Sequence, residues 1–477
     1  MASAHDDATH PESEADFARV LARFACGLSA VALPAEAVAA AKANLFDTLA
    51  CAAAGSSAPA VAEVLSLARE WEGAPQATIF CFGDKVPAHH AAWVNGTMAH
   101  ARDYDDTHDA AVLHAGVTVG PAALAAMERK GVVSGDTLIS AVAAGLETVC
   151  RLGVATQMGL VESGFIYTPL FGHFGATIAA GRVLGLNEVQ MINALGIAYS
   201  QVAGNHQVTR DGALTKRMQP GFAAQAALVS VQLAQRGVRG AQATFEGIDG
   251  FFRVYLRDRV DRVALREALG SRYEFAQLSY KPYPCCRFDH TAIEAALQLR
   301  AAALDPARIE RIRVGLTRQA YEAVCTPDDV RKRPRTIVHA QFSIPYTVAA
   351  ALLDGTVGLG HFSEASIGRS DILALAARIF PFVDQDIERE WGRSISPAEL
   401  HVDCTDGTST RVRIDVPLGH PKRPMSDADF DRKAADCFSA AAVEFPSDQP
   451  ARLRTIVNAL HTLEDARELV QVLTTAR

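Results

Sequence analysis

Four aspartates, Asp103, Asp105, Asp106 and Asp109, fall within seven consecutive positions of the stretch NGTMAHARDYDDTHDAAVLHAG, residues 95–116, with His108 and His114 among them. Carboxylates and imidazoles at this density support three kinds of role. They can exchange protons with a bound acid, because histidine titrates near neutral pH. They can ligate Mg²⁺ or Mn²⁺ through carboxylate oxygens. They can also be surplus negative charge at a helix N-terminus.

Four further segments carry groups of the same kind. GALTKRMQPG sets Lys216 and Arg217 between glycines, and YKPYPCCRFDH holds Lys281, Arg287 and His290. HAQFSIPYTVAAALLDG contributes His339 and Tyr346, and ESGFIYTPLFGHFGA contributes Tyr167 and His173. Each has a plain reading: a solvated Lys-Arg pair, a lysine stem packed on rings, a core tyrosine at a helix start. Any chemistry therefore depends on elements that bring the segments together.

Residues 17–270 read as mostly helical. In LPAEAVAAAKANLFDTLACAAAG, Pro34 marks a start and Gly55 an end, and Val38, Leu45 and Leu49 share a face. PAALAAMERKG repeats the punctuation with Pro121 and Gly131, and Asn187 and Gln190 have capping-box spacing. So many alanines and glycines predict close helix–helix packing. After about residue 273 the period changes to that of strands: Ile312, Val314 and Leu316 alternate with arginines. Leu400, Val402 and Cys404 precede Asp406-Gly407, a hairpin signal, and Val412, Ile414 and Val416 follow it. Helical patterns at 289–303 and 343–354 interrupt the strands, and from about 425 the chain turns helical again.

The predicted fold is mainly α. A helical domain over 17–273, completed by 425–477, carries a smaller α+β domain over 274–424 with an antiparallel sheet. Residues 1–16 read as a disordered lead-in. A cleft between the two parts is the natural ligand site.

The bulk numbers exclude other classes. A net charge of −8 and a pI near 6.0 argue against a nucleic-acid binder. No unbroken apolar run spans a bilayer, and the acidic N-terminus lacks the segments of a signal peptide, so a cytoplasmic location without a membrane partner is expected. The nine cysteines include no CxxC, which speaks against a zinc ribbon or a common iron–sulfur spacing.

Taken in order, NGTMAHARDYDDTH, HAG, FGATIAAGRVLGL, ALGIAYSQVAG, LTKRM, FEGIDGFF, KPYPCCRFDHTAIEA, FSIPYTVAAALLDG and GHPKRPMSDADFDRK resemble the MmgE/PrpD family, from about residue 17 to the C-terminus. That family includes 2-methylcitrate dehydratase, cis-aconitate decarboxylase and iminodisuccinate epimerase. The resemblance implies a large helical domain with an α+β lid, a homodimer, and a cofactor-free, metal-free site for small di- or tricarboxylates. Residue by residue it implies Asp103 and Thr107 from the acidic motif and His114 downstream of it, at a spacing one residue longer than the family's. It further implies Lys216 of the TK motif, Lys281 of the KPYP motif and Tyr346 of the FSxPY motif. His114 is then the first candidate base, with Asp103 setting its tautomer or donating a proton and Tyr346 as a second proton carrier. Thr107 is expected to hydrogen-bond a carboxylate, Lys216 and Lys281 to clamp substrate carboxylates, and Arg287 to join them. Asp105 and Asp106 are left as helix caps.

Two positions depart from decarboxylase members: Ile166 and Cys286 stand where those carry histidines. Isoleucine neither pairs with a carboxylate nor moves a proton. An apolar wall at Ile166 predicts fewer substrate carboxylates and little decarboxylation of cis-aconitate. The expected activity is a carbon–oxygen lyase, a hydratase or dehydratase. The alternatives are an epimerase of a small dicarboxylate and a metal-dependent enzyme using the Asp/His cluster at 103–114.

Overall fold

A computed structural model of the chain describes residues 16–392 and 397–474. The lead-in expected over 1–16 lies outside the described residues except for Asp16. That residue is structured: its carboxylate accepts from the Ala18 amide and, far along the chain, from the Phe245 and Glu246 amides.

Helices dominate, and the small residues show why. The helices Ala88–His100, Gly116–Lys130, Gly135–Ala155, Tyr167–Leu184 and Gln219–Gln235 are buried along most of their length. Alanine and glycine at their contacts let the backbones approach closely. The helix punctuated by Pro34 and Gly55 runs Ala35–Gly55, with Leu45 and Leu49 fully buried. The Asn187–Gln190 capping box is present, each side chain meeting the other's amide. Among the described residues two helices, Ala35–Gly55 and Gly135–Ala155, are long and apolar enough to cross a membrane, and both are mostly buried inside the protein.

One boundary moves. Pro121 was expected to open its helix, but the helix begins five residues earlier, at Gly116. Asp106 accounts for this: its carboxylate accepts from the amides of Ala115 and Gly116 at 2.9 and 3.0 Å, satisfying donors that a helix start leaves open. Only glycine fits at 116, since a methyl there would lie 2.6 Å from Asp106 Oδ1.

Among the described residues the strands form one sheet of four and two short pairs. The hairpin at Asp406-Gly407 pairs Ala398–Cys404 with Ser409–Ile414, and Gly407 takes φ +84°. Ile309–Leu316 pairs antiparallel with Ala398–Cys404 and parallel with Ile379–Val383. The sheet is therefore mixed rather than purely antiparallel. The parallel strand, IFPFV, has no alternating pattern to announce it.

Buried apolar side chains gather in two clusters. One draws on Phe17 to Leu278 and on Ala434 to Leu473; the other runs from Cys285 to Ile414. The helix Asp427–Ser439 returns to the first body, where Lys433 donates to Asp47 Oδ1 and to the Tyr104 carbonyl, beside the acidic motif.

Candidate active site

The acidic motif is a loop between the helices Ala88–His100 and Gly116–Lys130. A two-residue ladder, Thr107–His108 against Leu278–Ser279, ties it to the segment that carries Lys281. Asp103 and Val112 in this loop have φ of +54° and +53°. A left-handed backbone is costly for an aspartate and more so for a β-branched valine, and such strain concentrates at functional sites.

Buried groups form a continuous network here. Asp103 receives the Lys216 ammonium on Oδ2 and the Lys281 ammonium on Oδ1 at 2.7 Å; Lys281 also donates to the Asp103 carbonyl at 2.9 Å. Lys216 lies 3.1 Å from His100 Nε2 and over the Phe342 ring, 4.8 Å from its centroid. His100 Nδ1 is 2.9 Å from Asp105 Oδ2, and the same oxygen lies 3.2 Å from His114 Nδ1. His114 Nδ1 is also 2.5 Å from the Asp106 carbonyl.

These partners assign the protons. A carbonyl only accepts, so His114 carries hydrogen on Nδ1 and keeps its lone pair on Nε2. An ammonium only donates, so His100 accepts on Nε2 and carries its hydrogen on Nδ1. Asp105, not Asp103, therefore orients the imidazoles, and only Asp106 is a helix cap.

Burial alone would raise the Asp103 carboxyl, but Lys216 and Lys281 outweigh it and hold it well below the usual carboxylate range. Asp103 is thus a fixed anion rather than a proton donor. Asp105 is likewise buried, which would raise it, yet the hydrogen bond from His100 and the Lys281 charge hold it low. Burial would lower Lys281, and Asp103 reverses the direction. Burial and the Lys281 charge push His114 down to about 3, against Asp105, so it is neutral at neutral pH. Asp106 goes the other way, up to about 7, through burial and the neighbouring Asp105.

The network forms the floor of a partly open pocket of about 590 Å³, open solvent at its mouth included, lined from both apolar clusters. His100, Asp103, Thr107, His114 and Lys216 are its polar floor. Val112, Leu160, Ile166, Phe288, Ala323 and Phe342 make apolar walls, and Thr168, His206, Thr209, Cys286 and Arg287 complete them.

The sequence-derived candidates divide accordingly. Asp103, Thr107, His114, Ile166, Lys216 and Arg287 line the pocket. Lys281 does not: it is fully buried behind Asp103 and acts through it. Arg287 is committed, its guanidinium bound to Asp109, the Leu418 carbonyl and His290. Tyr346 is not in the pocket either. It is buried in the second cluster, its hydroxyl donated to the carbonyls of His361 and Ser366 at 2.7 and 3.1 Å, which removes it as a proton carrier.

Of the pocket residues that were not singled out from the sequence, three polar ones bear on the chemistry. His100 sits three residues before Asp103 in the quoted motif. Thr168 accepts from the His114 amide at 2.9 Å. His206 lies ten residues before Lys216, in the same connection. His100, Asp105 and His114 are the group that could gather around a divalent ion among the described residues. Their separations are those of hydrogen bonds; the Lys216 ammonium bonds His100 directly and the Lys281 charge acts on Asp105 and His114, an unfavourable field for a cation.

Comparison with known proteins identifies the family. The model of the MmgE/PrpD N-terminal domain matches residues 19–263, and that of the MmgE/PrpD C-terminal domain matches residues 283–462. The chain is 26% identical over 472 residues to a cis-aconitate decarboxylase of Aspergillus terreus (strain NIH 2624 / FGSC A1156), covering 95% of each chain. It is 27% identical over 461 residues to the cis-aconitate decarboxylase-like protein oryM of Aspergillus oryzae, covering 92% of this chain and 94% of that one. It is 27% identical over 402 residues to the cis-aconitate decarboxylase of Homo sapiens, covering 82% and 80%. With both domain models matched in order along one chain, the protein belongs to the MmgE/PrpD family.

Proposed function

We propose that the protein is a cofactor-free lyase acting on a small di- or tricarboxylate by moving a proton at a carbon next to a carboxylate. The observation that supports this most is the pocket floor, where Lys216 is fixed between Asp103 and His100 beside the neutral His114. An α-proton of a carboxylate is weakly acidic, so the site must meet negative charge developing on that carbon. A positioned ammonium in a water-poor pocket does this without reorganisation. His114 Nε2 is the open lone pair and serves as base. Its low proton affinity in the empty site rises when an anion binds beside it. Thr107 offers a hydroxyl to a carboxylate.

We favour loss or addition of water because the floor carries both a base, His114, and a donor, Lys216. Loss of CO₂ from a tricarboxylate is the second reading, favoured by relatives named cis-aconitate decarboxylase. Epimerisation asks for opposed bases, whereas the rings of His100 and His114 lie side by side, 4.9 Å between centroids. In this reading residues 17–273 with 425–477 form the body, and 274–424 cover the pocket.

A thermal-shift screen tests the substrate class. A true di- or tricarboxylate ligand at 100 times its Kd stabilises the fold by about 2.7 kcal/mol. No shift with any member of a citrate, cis-aconitate, 2-methylcitrate and succinate panel would remove this reading.

A further inference from the structure

We propose that His206 faces the substrate: its imidazole hydrogen-bonds one carboxylate of the bound acid at the Ile166 side of the pocket, and so sets how many carboxylates the pocket accepts. The proposal rests on the lyase reading above and deepens it.

His206 is held in place by its backbone. Its amide donates to the Gly164 carbonyl at 2.9 Å. The Gln219 side chain grips the preceding residue twice, accepting from the Asn205 amide at 3.0 Å and donating to its carbonyl at 3.2 Å. Gly204 has φ +143°, and a methyl there would lie 2.6 Å from Pro169 Cγ and 3.2 Å from the Ile166 carbonyl. The loop therefore stacks directly on the segment that bears Ile166, and both side chains line one pocket. The donor-free wall expected at Ile166 is supplied with an imidazole by a different stretch of chain.

The imidazole is uncommitted. It is 7% exposed, and its Nδ1 is buried without a hydrogen-bond partner. A buried polar group left unpaired calls for a reason. His173, by contrast, is also buried but spends Nδ1 on the Pro169 carbonyl at 2.6 Å. Of the other cationic donors in the pocket, Lys216 spends two of its three N–H groups on Asp103 and His100 and keeps one for the reacting end of the substrate, and Arg287 is bound to Asp109. A further carboxylate thus finds His206. Burial, helped by Arg210, Lys216 and Arg331, pushes the ring down to about 4. At neutral pH it offers an N–H without adding a charge next to Lys216.

Calorimetric titration of the full-length protein with cis-aconitate and with succinate tests this, using wild type, His206→Phe and His206→Gln. Phenylalanine keeps a ring and loses the donor; glutamine keeps a donor. His206→Phe should weaken cis-aconitate binding about tenfold or more, the loss expected for one hydrogen bond to a charged group. Succinate binding should change by less than about threefold, and His206→Gln should recover most of the cis-aconitate affinity. If wild type binds cis-aconitate and His206→Phe binds it equally well, the inference falls and the lyase reading stands. Equal loss for both acids, or no recovery in His206→Gln, also overturns it by showing a merely structural role. If wild type binds neither acid, the inference falls, and the wider panel of acids decides the lyase reading separately. Should the variants not fold, carbethoxylation of wild type decides: cis-aconitate should protect His206 and succinate should not, and equal reactivity with both overturns the inference.

Discussion

Replacing Lys281 by methionine isolates the part of the site that never touches the pocket. Lys281 is fully buried, and its ammonium serves Asp103 alone, through Oδ1 at 2.7 Å and the carbonyl at 2.9 Å. Methionine fills similar volume, so little cavity cost enters. What remains is a buried carboxylate with one ammonium in place of two. Removing one partner of a buried ion pair costs about 3–5 kcal/mol. Asp103 keeps Lys216, so the low end applies, about 3 kcal/mol at pH 7. The sign with pH follows. The depressed Asp103 carboxyl contributes stability above its unfolded value of 3.8, and that contribution fades as pH falls through the folded value. In Lys281→Met the folded value moves up towards 3.8, so the gap between variant and wild type holds between pH 7 and pH 4 and narrows only below about pH 4. Urea unfolding across this range measures it. Adding Asp103→Asn should give a double variant less destabilised than the sum of the single changes by about 1–3 kcal/mol. A loss below about 1 kcal/mol for Lys281→Met, or simple additivity, would refute the account of Lys281 as a counter-ion for Asp103.

Three further outcomes follow from the geometry. Tyr346→Phe should lose about 1–2 kcal/mol of stability, from a buried hydroxyl with two carbonyl partners, while kcat stays within twofold; a large drop in kcat would return Tyr346 to the reaction. His173, buried and held down to about 4, is neutral in the fold and takes up a proton on unfolding below its usual 6.5. Its contribution is therefore present above 6.5 and lost as pH falls towards 4. His173→Asn should flatten the stability profile by about 2 kcal/mol between pH 6.5 and 5, and an unchanged slope in urea titrations counts against it. Light scattering should report twice the 50.9 kDa of one chain, in line with the homodimer implied by resemblance, and a monomer mass would contradict it.

Much of the scaffold is legible in the sequence because it is punctuated locally. Asn187 with Gln190, and Asp406-Gly407, each fix an element end by a conformation or a hydrogen bond to near neighbours. The parallel strand Ile379–Val383 is not legible, since its partner lies over sixty residues away and its own pattern does not alternate. The site is legible in part for the same reason. Asp103, Lys216 and Lys281 are charged groups in short, unusual contexts, and they do meet. Which of them reaches the pocket depends on burial depth, and that hides Lys281 and withdraws Tyr346. The orienting role of Asp105 rather than Asp103 turns on a left-handed residue at 103, which no spacing reveals. His206 is missed because a single histidine in a polar loop carries no pattern; its meaning comes from stacking on the Ile166 segment.

The central claim is proton movement next to a carboxylate, without a metal or cofactor, on a floor built around Lys216. Its most direct test is proton NMR in D₂O of protein treated with EDTA, incubated with citrate, cis-aconitate, 2-methylcitrate and dicarboxylate analogues, for wild type and Lys216→Ala. The account predicts a lyase product from at least one of these acids, with deuterium at the carbon next to a carboxylate where water is added or CO₂ is lost, and in the recovered hydroxy acid where water is lost and added back. It also predicts a rate at least about tenfold lower in Lys216→Ala, the equivalent of one charged hydrogen bond in the transition state. Product formation that stops with EDTA and returns with a divalent ion, or full activity in Lys216→Ala, would contradict it.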